Sequence, residues 1–149
     1  MPGITVLLAS DHRGFSLKGK LIGWLKEHGF AVKDLGTGSE ERCDSSDFAV
    51  RMAGELIGQK DCLGVLICGT GNGIAMAANR YREVRAALCF NTSMARFARE
   101  HNDANVIVFG ADMIGTGLAI ECLDVFLRTG FLGGRYAERR NKLSQLGGL

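Results

Sequence analysis

The chain has 149 residues, 46% of them hydrophobic and 23% charged, with a formal net charge of +2. That length fills one sizeable core and is too short for two ordinary domains, so a single domain over residues 1–149 is expected. The mixed charges give no electrostatic reason to expect nucleic acid or an anionic membrane as partner, and no apolar run nears the roughly 20 residues that cross a bilayer.

The first run, "ITVLLAS", is short, β-branched and almost wholly apolar, which suits a strand buried on both faces of a parallel sheet. From Phe15 to His28 the residues Phe15, Leu17, Leu21, Ile22, Trp24 and Leu25 fall at helical spacing with lysines between them, and Gly29 supplies a stop. The strand–helix unit then recurs. "FAVKDLG" reads as a second strand, Asp47 to Ile57 as a helix, "LGVLIC" as a third strand, and Gly73 to Tyr81 as a helix opened by a glycine turn. "VRAALCF" and "NVIVFG" are further strands around a helix from Thr92 to Glu100, which Asn91 or Thr92 can cap. Ile114 to Arg128 makes a long helix, "GGRYAERR" a short one, and the terminal "SQLGGL" is expected to fray. Five strands alternating with helices specify an α/β fold: a doubly wound parallel sheet with helices on both faces.

The N-terminal "MPGITVLLASDH" has neither a basic leader nor a small-residue cleavage site, so the reading is cytoplasmic. Cys43, Cys62, Cys68, Cys89 and Cys122 form an odd set without CxxC spacing, which fits reduced thiols better than a disulfide framework or a zinc ribbon.

In such a sheet, ligands sit beyond the carboxyl ends of the strands. The candidates there are Asp11 and His12, Gly36 and Thr37, Cys68 to Gly73, Asn91 and Thr92, and Gly110 to Asp112. In "CGTGNG" the alternating Gly69, Gly71 and Gly73 let backbone N–H groups converge on an anion at the start of a helix, although glycines there also serve a merely tight turn. A dinucleotide is excluded, because the position three beyond the second glycine of the fingerprint holds Ile74 or Met76 in the two possible registers. Cys68 has two readings. It is a small core residue, or it is a thiolate stabilised by the converging N–H groups and able to take a proton. His101 and Asn102 lie in "REHNDANV", a polar cluster leading into a buried strand near the rim of the sheet. Asp11 could cap the following helix or serve chemistry. Arg135 and Arg139, four apart, could close on one phosphate or form a solvated helix face.

Taken together, "SDHRGFSLKGKL", "GVLICGTGNGIAMAANR", "VRAALC", "AREHNDANVIVFGA" and "GGRYAERR" resemble the type B ribose-5-phosphate isomerases, a group related to the galactose-6-phosphate isomerase subunits. The resemblance implies a Rossmann-like sheet and a homodimer or dimer of dimers. It implies isomerisation of a phosphosugar without metal or cofactor, in the non-oxidative pentose phosphate pathway. It puts the base on Cys68, enediolate stabilisation on Thr70 and the loop Gly69, Gly71, Asn72 and Gly73, and ring opening on His101 assisted by Asp11. The phosphate clamp falls on His12, Arg135 and Arg139, with His101, Asn102 and the arginines contributed by a partner chain.

There are three departures from the family pattern: Ser45-Ser46 replace a Tyr-Pro wall, Asp112 stands where a basic residue is common, and Tyr136 replaces a histidine. The last is expected to matter least. Two other readings stay open: the same chemistry on a six-carbon sugar phosphate, such as allose or galactose 6-phosphate, and a non-catalytic phosphosugar-binding module. The retained Cys68, Thr70 and His101 speak against the module.

Overall fold

The computed structural model describes residues 3–147 and contains five strands and six helices in that span. In chain order they are β1 (Thr5–Ser10), α1 (Phe15–Glu27), β2 (Ala31–Asp34), α2 (Ser45–Leu56), β3 (Cys62–Cys68), α3 (Asn72–Ala78), β4 (Ala86–Leu88), α4 (Thr92–Asn102), β5 (Val106–Gly110), α5 (Thr116–Arg128) and α6 (Arg135–Gln145). All strand pairs are parallel, in the order β2-β1-β3-β5-β4. No described helix is long and apolar enough to cross a membrane.

The strands are apolar because the sheet is covered on both faces, and their side chains alternate between two cores. Val6, Leu8, Val65, Ile67, Ile107 and Phe109 pack under α1, α4 and α5. Leu7, Ala9, Leu66, Cys68, Val106 and Val108 pack under α2 and α3. The edge strands shrink: β4 keeps three residues of the expected seven and β2 four, because a strand paired on one side only has less burial to hold it.

Two helices run further than their sequence pattern indicates. α4 continues to Asn102, so His101 and Asn102 occupy its last turn rather than a loop. α6 extends through Ser144 and Gln145, which were expected to fray; the remaining Gly148 and Leu149 of that stretch lie outside the described residues. Asn91 does cap α4, accepting from the Met94 N–H at 2.8 Å.

Candidate active site

β3 ends at the middle of the sheet, with Cys68 in register with Gly110 and Ile67 with Ser10. After β1 and β5 the chain turns to α1 and α5 on one face, whereas after β3 it turns to α3 on the other. The topology therefore predicts a ligand crevice at the end of β3.

Cys68 stands at that strand end and is 6% exposed. Its Sγ accepts the Gly71 N–H at 3.2 Å, so the thiol sits inside the turn of its own loop. Gly71 has φ +84°, and a Cβ there would run into Leu88 and come within 3.1 Å of the Gly110 nitrogen. A side chain at Gly110 would in turn strike the Thr70 carbonyl. The loop is pressed onto the end of β5, and only glycine fits at either contact. Thr70 is exposed beside it, its Oγ1 accepting the Asn72 N–H at 3.3 Å.

Asp11, also nearly buried, does not cap α1, whose first turn carries no side-chain cap. Instead its Oδ1 accepts the N–H groups of Arg13 at 2.9 Å and Gly14 at 3.1 Å, closing the β1–α1 turn. His12 Nδ1 accepts the Cys43 N–H at 3.2 Å. An N–H donating to Nδ1 leaves the ring proton on Nε2, where a neutral imidazole can donate to an anion. Ser45 and Ser46 open α2, with Asp44 accepting the Ser46 N–H at 2.9 Å. The Ser45 hydroxyl lies 3.7 Å from where a Cβ on Gly73 would sit, so a small polar group faces the loop where the resemblance leads us to expect an aromatic wall.

The remaining expected residues lie at the other edge of the sheet. From the level of Gly64 and Val106 to that of Cys68 and Gly110 is four residues of strand, about 13 Å, and α4 ends below the lower level. There the His101 ring stacks on Phe97 at 4.9 Å and on Tyr136 at 4.4 Å between centroids. Arg135 and Arg139 both lie over the Tyr136 ring, at 5.1 and 5.8 Å, and Arg135 donates to the Tyr136 hydroxyl at 3.2 Å, which raises its pKa further. Tyr136, expected to matter least of the three departures, is thus the surface on which His101 and both arginines are arranged.

Asp103 ends α4 in the left-handed region, φ +49°, and its carboxylate meets Arg140 at 2.7 Å, Arg99 at 3.3 Å and Arg85 at 3.5 Å. Burial pushes the Arg85 and Arg99 pKa values down and Asp103 opposes it. This hub ties α6 to α4.

One chain therefore gathers Asp11, His12, Cys68, Gly69, Thr70, Gly71, Asn72 and Gly73 at the carboxyl edge, and His101, Asn102, Arg135 and Arg139 at the amino edge. It does not bring His101 to Asp11, nor the two arginines to His12. The signal was in the topology: a chain entering a parallel strand does so at its amino end, so residues just before β5 belong there. Sequence reasoning also passed over Arg13, whose Nη2 stands 2.6 Å from Asp112 Oδ2, and the Asp103 hub.

A family model described as "Ribose/Galactose Isomerase" matches residues 6–143. Ribose-5-phosphate isomerase B of Escherichia coli K12 is 40% identical over 134 residues, covering 90% of each chain. Among solved structures, a ribose 5-phosphate isomerase of Thermotoga maritima superposes with a TM-score of 0.93 at 43% identity, covering 96% of this chain and 99% of the other. Ribose-5-phosphate isomerase B from Mycoplasma genitalium, solved with bound ribulose-5-phosphate, gives 0.91 at 37% identity over 95% of both.

Proposed function

Since this chain belongs to the ribose/galactose isomerase family, we propose that it interconverts ribose 5-phosphate and ribulose 5-phosphate through a cis-enediolate, with Cys68 as the base. The observation that carries the reading is the position of Cys68: nearly buried at the central strand end, with its sulfur held by the Gly71 N–H.

No step needs an outside oxidant or reductant. Ring opening takes a proton from the C1 hydroxyl, whose electron pair forms the C1 carbonyl as the bond from C1 to the ring oxygen breaks, and delivers a proton to that oxygen, with His101 as donor and Asp11 assisting. The Cys68 thiolate then removes the C2 proton, and the C–H electron pair becomes the C1–C2 double bond as charge moves to the C1 oxygen. Thr70 and the N–H groups of the Gly69–Gly73 loop stabilise that oxyanion. The thiol returns its proton to C1, the O2 proton passes to O1, and C2 becomes the ketone. His12, Arg135 and Arg139 grip the phosphate, fixing C1 and C2 against sulfur. Asn102 supports the same pocket.

Because the two groups of residues lie at opposite edges of one chain, the reading is a homodimer, or a dimer of dimers, in which His101, Asn102, Arg135 and Arg139 of the partner subunit complete each Cys68 site. The five cysteines, all free, suit a reducing cytoplasm.

The test is ribulose 5-phosphate formation from ribose 5-phosphate in the presence of EDTA, for wild type and Cys68→Ala. Turnover in the wild type and a loss of about a thousandfold or more in the variant are expected. An inactive wild type would overturn the reading. Mixing Cys68→Ala with His101→Ala subunits then tests the shared site: random exchange should restore about a quarter of wild-type activity, since half the dimers carry one intact site of two. The small Ser45 beside the loop favours a second reading, a six-carbon sugar phosphate, and kcat/KM on allose 6-phosphate against ribose 5-phosphate separates them.

A further inference from the structure

Two charged side chains that the mechanism does not use meet just beyond the end of β3. Arg13 comes from the β1–α1 turn and Asp112 from the turn after β5, and their 2.6 Å ion pair lies directly over Gly69. A Cβ on Gly69 would come within 3.0 Å of Arg13 Cδ and Nε and of Asp112 Oδ2, so the pair rests on the bare backbone beside Cys68. Both residues are placed by the bonds that place the site. Asp11 holds the Arg13 N–H at 2.9 Å, while Gly69 and Cys68 accept the N–H groups of Asp112 at 2.9 Å and Ala111 at 2.8 Å. A side chain on Gly14 would sit 2.7 Å from Ile67, which pins the first turn against β3.

The Arg13 side chain is 60% exposed and that of Asp112 is 45% exposed. An exposed pair of this kind contributes little to stability, about 0–1 kcal/mol. A guanidinium has five N–H donors in a planar fork, and one carboxylate oxygen leaves most of them available. Arg13 adjoins His12, the residue of this edge assigned to phosphate, and its guanidinium reaches the loop at Gly69.

Resting on the isomerase reading, we propose that Arg13 is a specificity-determining residue that contacts the substrate phosphate from the same chain as Cys68, and that Asp112 is its counter-ion in the empty site. Before substrate enters, Asp112 neutralises Arg13 and holds it over Gly69. An entering phosphate dianion competes with the single carboxylate for the guanidinium and takes it in a bidentate grip. Asp112 thereby weakens binding of any phosphosugar while keeping Arg13 positioned, and it disfavours binding of sugars that lack the phosphate because they cannot displace it.

The experiment compares wild type, Arg13→Gln and Asp112→Asn by steady-state kinetics on ribose 5-phosphate and by the affinity of each for inorganic phosphate, measured calorimetrically. Arg13→Gln should raise KM and weaken phosphate binding by about tenfold, with the change carried in KM rather than kcat. Asp112→Asn should do the opposite, tightening both by about threefold. Both side chains are exposed, and unchanged melting temperatures will show that the fold is intact. Unaltered KM and phosphate affinity in Arg13→Gln, or weaker phosphate binding in Asp112→Asn, would overturn the proposal. If the wild type fails to turn over ribose 5-phosphate yet phosphate binding still falls in Arg13→Gln, the isomerase reading fails and the anion contact stands.

Discussion

The two edges of the sheet share the candidate residues unequally, eight at the carboxyl edge and four at the amino edge, and are built in different ways. At the carboxyl edge the backbone does the positioning: Gly71 donates to the Cys68 sulfur, Gly110 lies under Thr70, and the Asp11 carboxylate closes a turn through main-chain N–H groups. At the amino edge, side chains position one another: His101 on Tyr136, two arginines over the same ring, three more around Asp103. A group that must present an atom to a reacting carbon gains from a rigid main-chain frame. On the proposed reading the amino-edge groups grip a phosphate, a task that tolerates a looser support.

Gly71→Ala attacks the first frame and carries the larger expected effect. Alanine at φ +84° is strained, and its methyl group meets Leu88 and the end of β5, so the loop must lift and the N–H that faces sulfur must move. Turnover should fall about a hundredfold through kcat, with a stability loss of about 1–3 kcal/mol. Retained kcat would show that the loop reaches its working shape without that N–H.

Asp103→Asn attacks the second and should act more weakly. It keeps the shape and removes the charge shared by Arg85, Arg99 and Arg140, so α6 is held less firmly to α4. KM should rise about fivefold with little change in kcat, and the melting temperature should fall by a few degrees. A drop in kcat with KM unchanged would mean that the hub serves the chemistry and not the phosphate grip.

The same contrast explains what was legible in the sequence. The carboxyl edge could be read because its parts announce themselves locally: apolar runs such as "LGVLIC" mark strands buried on both faces, and alternating glycines mark a main-chain frame. At the amino edge His101, Asn102, Arg135 and Arg139 could be picked out, but not their arrangement, because it is made of pairings between distant residues. Arg140 reaches Asp103 across 37 positions, and α6 buries none of its residues, so no periodicity marks its length. Tyr136 looked dispensable because a stacking partner in α4 leaves no trace in "GGRYAERR". Arg13 and Asp112 lie 99 positions apart in the chain, so although Asp112 stood out as a strand-end residue and a departure, its partner could not be read, and Arg13 alone reads as an ordinary surface charge.

The smallest predicted effect concerns the core that joins the two edges. Cys89 follows β4 at the carboxyl edge, is 1% exposed, and packs with Cys122 of α5 under α4. Burial, helped by the neighbouring Cys122, pushes the Cys89 thiol from 9.0 up to about 12. Between those values the unfolded chain gives up a proton that the folded chain keeps, so the unfolded state gains from rising pH and the folded state does not. The stability contributed by the neutral thiol is complete below pH 9.0 and is lost as pH climbs toward about 12. Melting temperature should therefore fall across that window, and in Cys89→Ala it should fall less steeply, whatever the cost of the small cavity at lower pH. Cys122, raised by burial in the same core, leaves a residual slope. Because α4 hangs from this core and ends in the Asp103 hub, the alkaline loss should appear first as rising KM, the amino-edge signature, before kcat declines. A kcat that fails first would place the alkali-sensitive step at the Cys68 loop and make the carboxyl edge the weaker of the two frames.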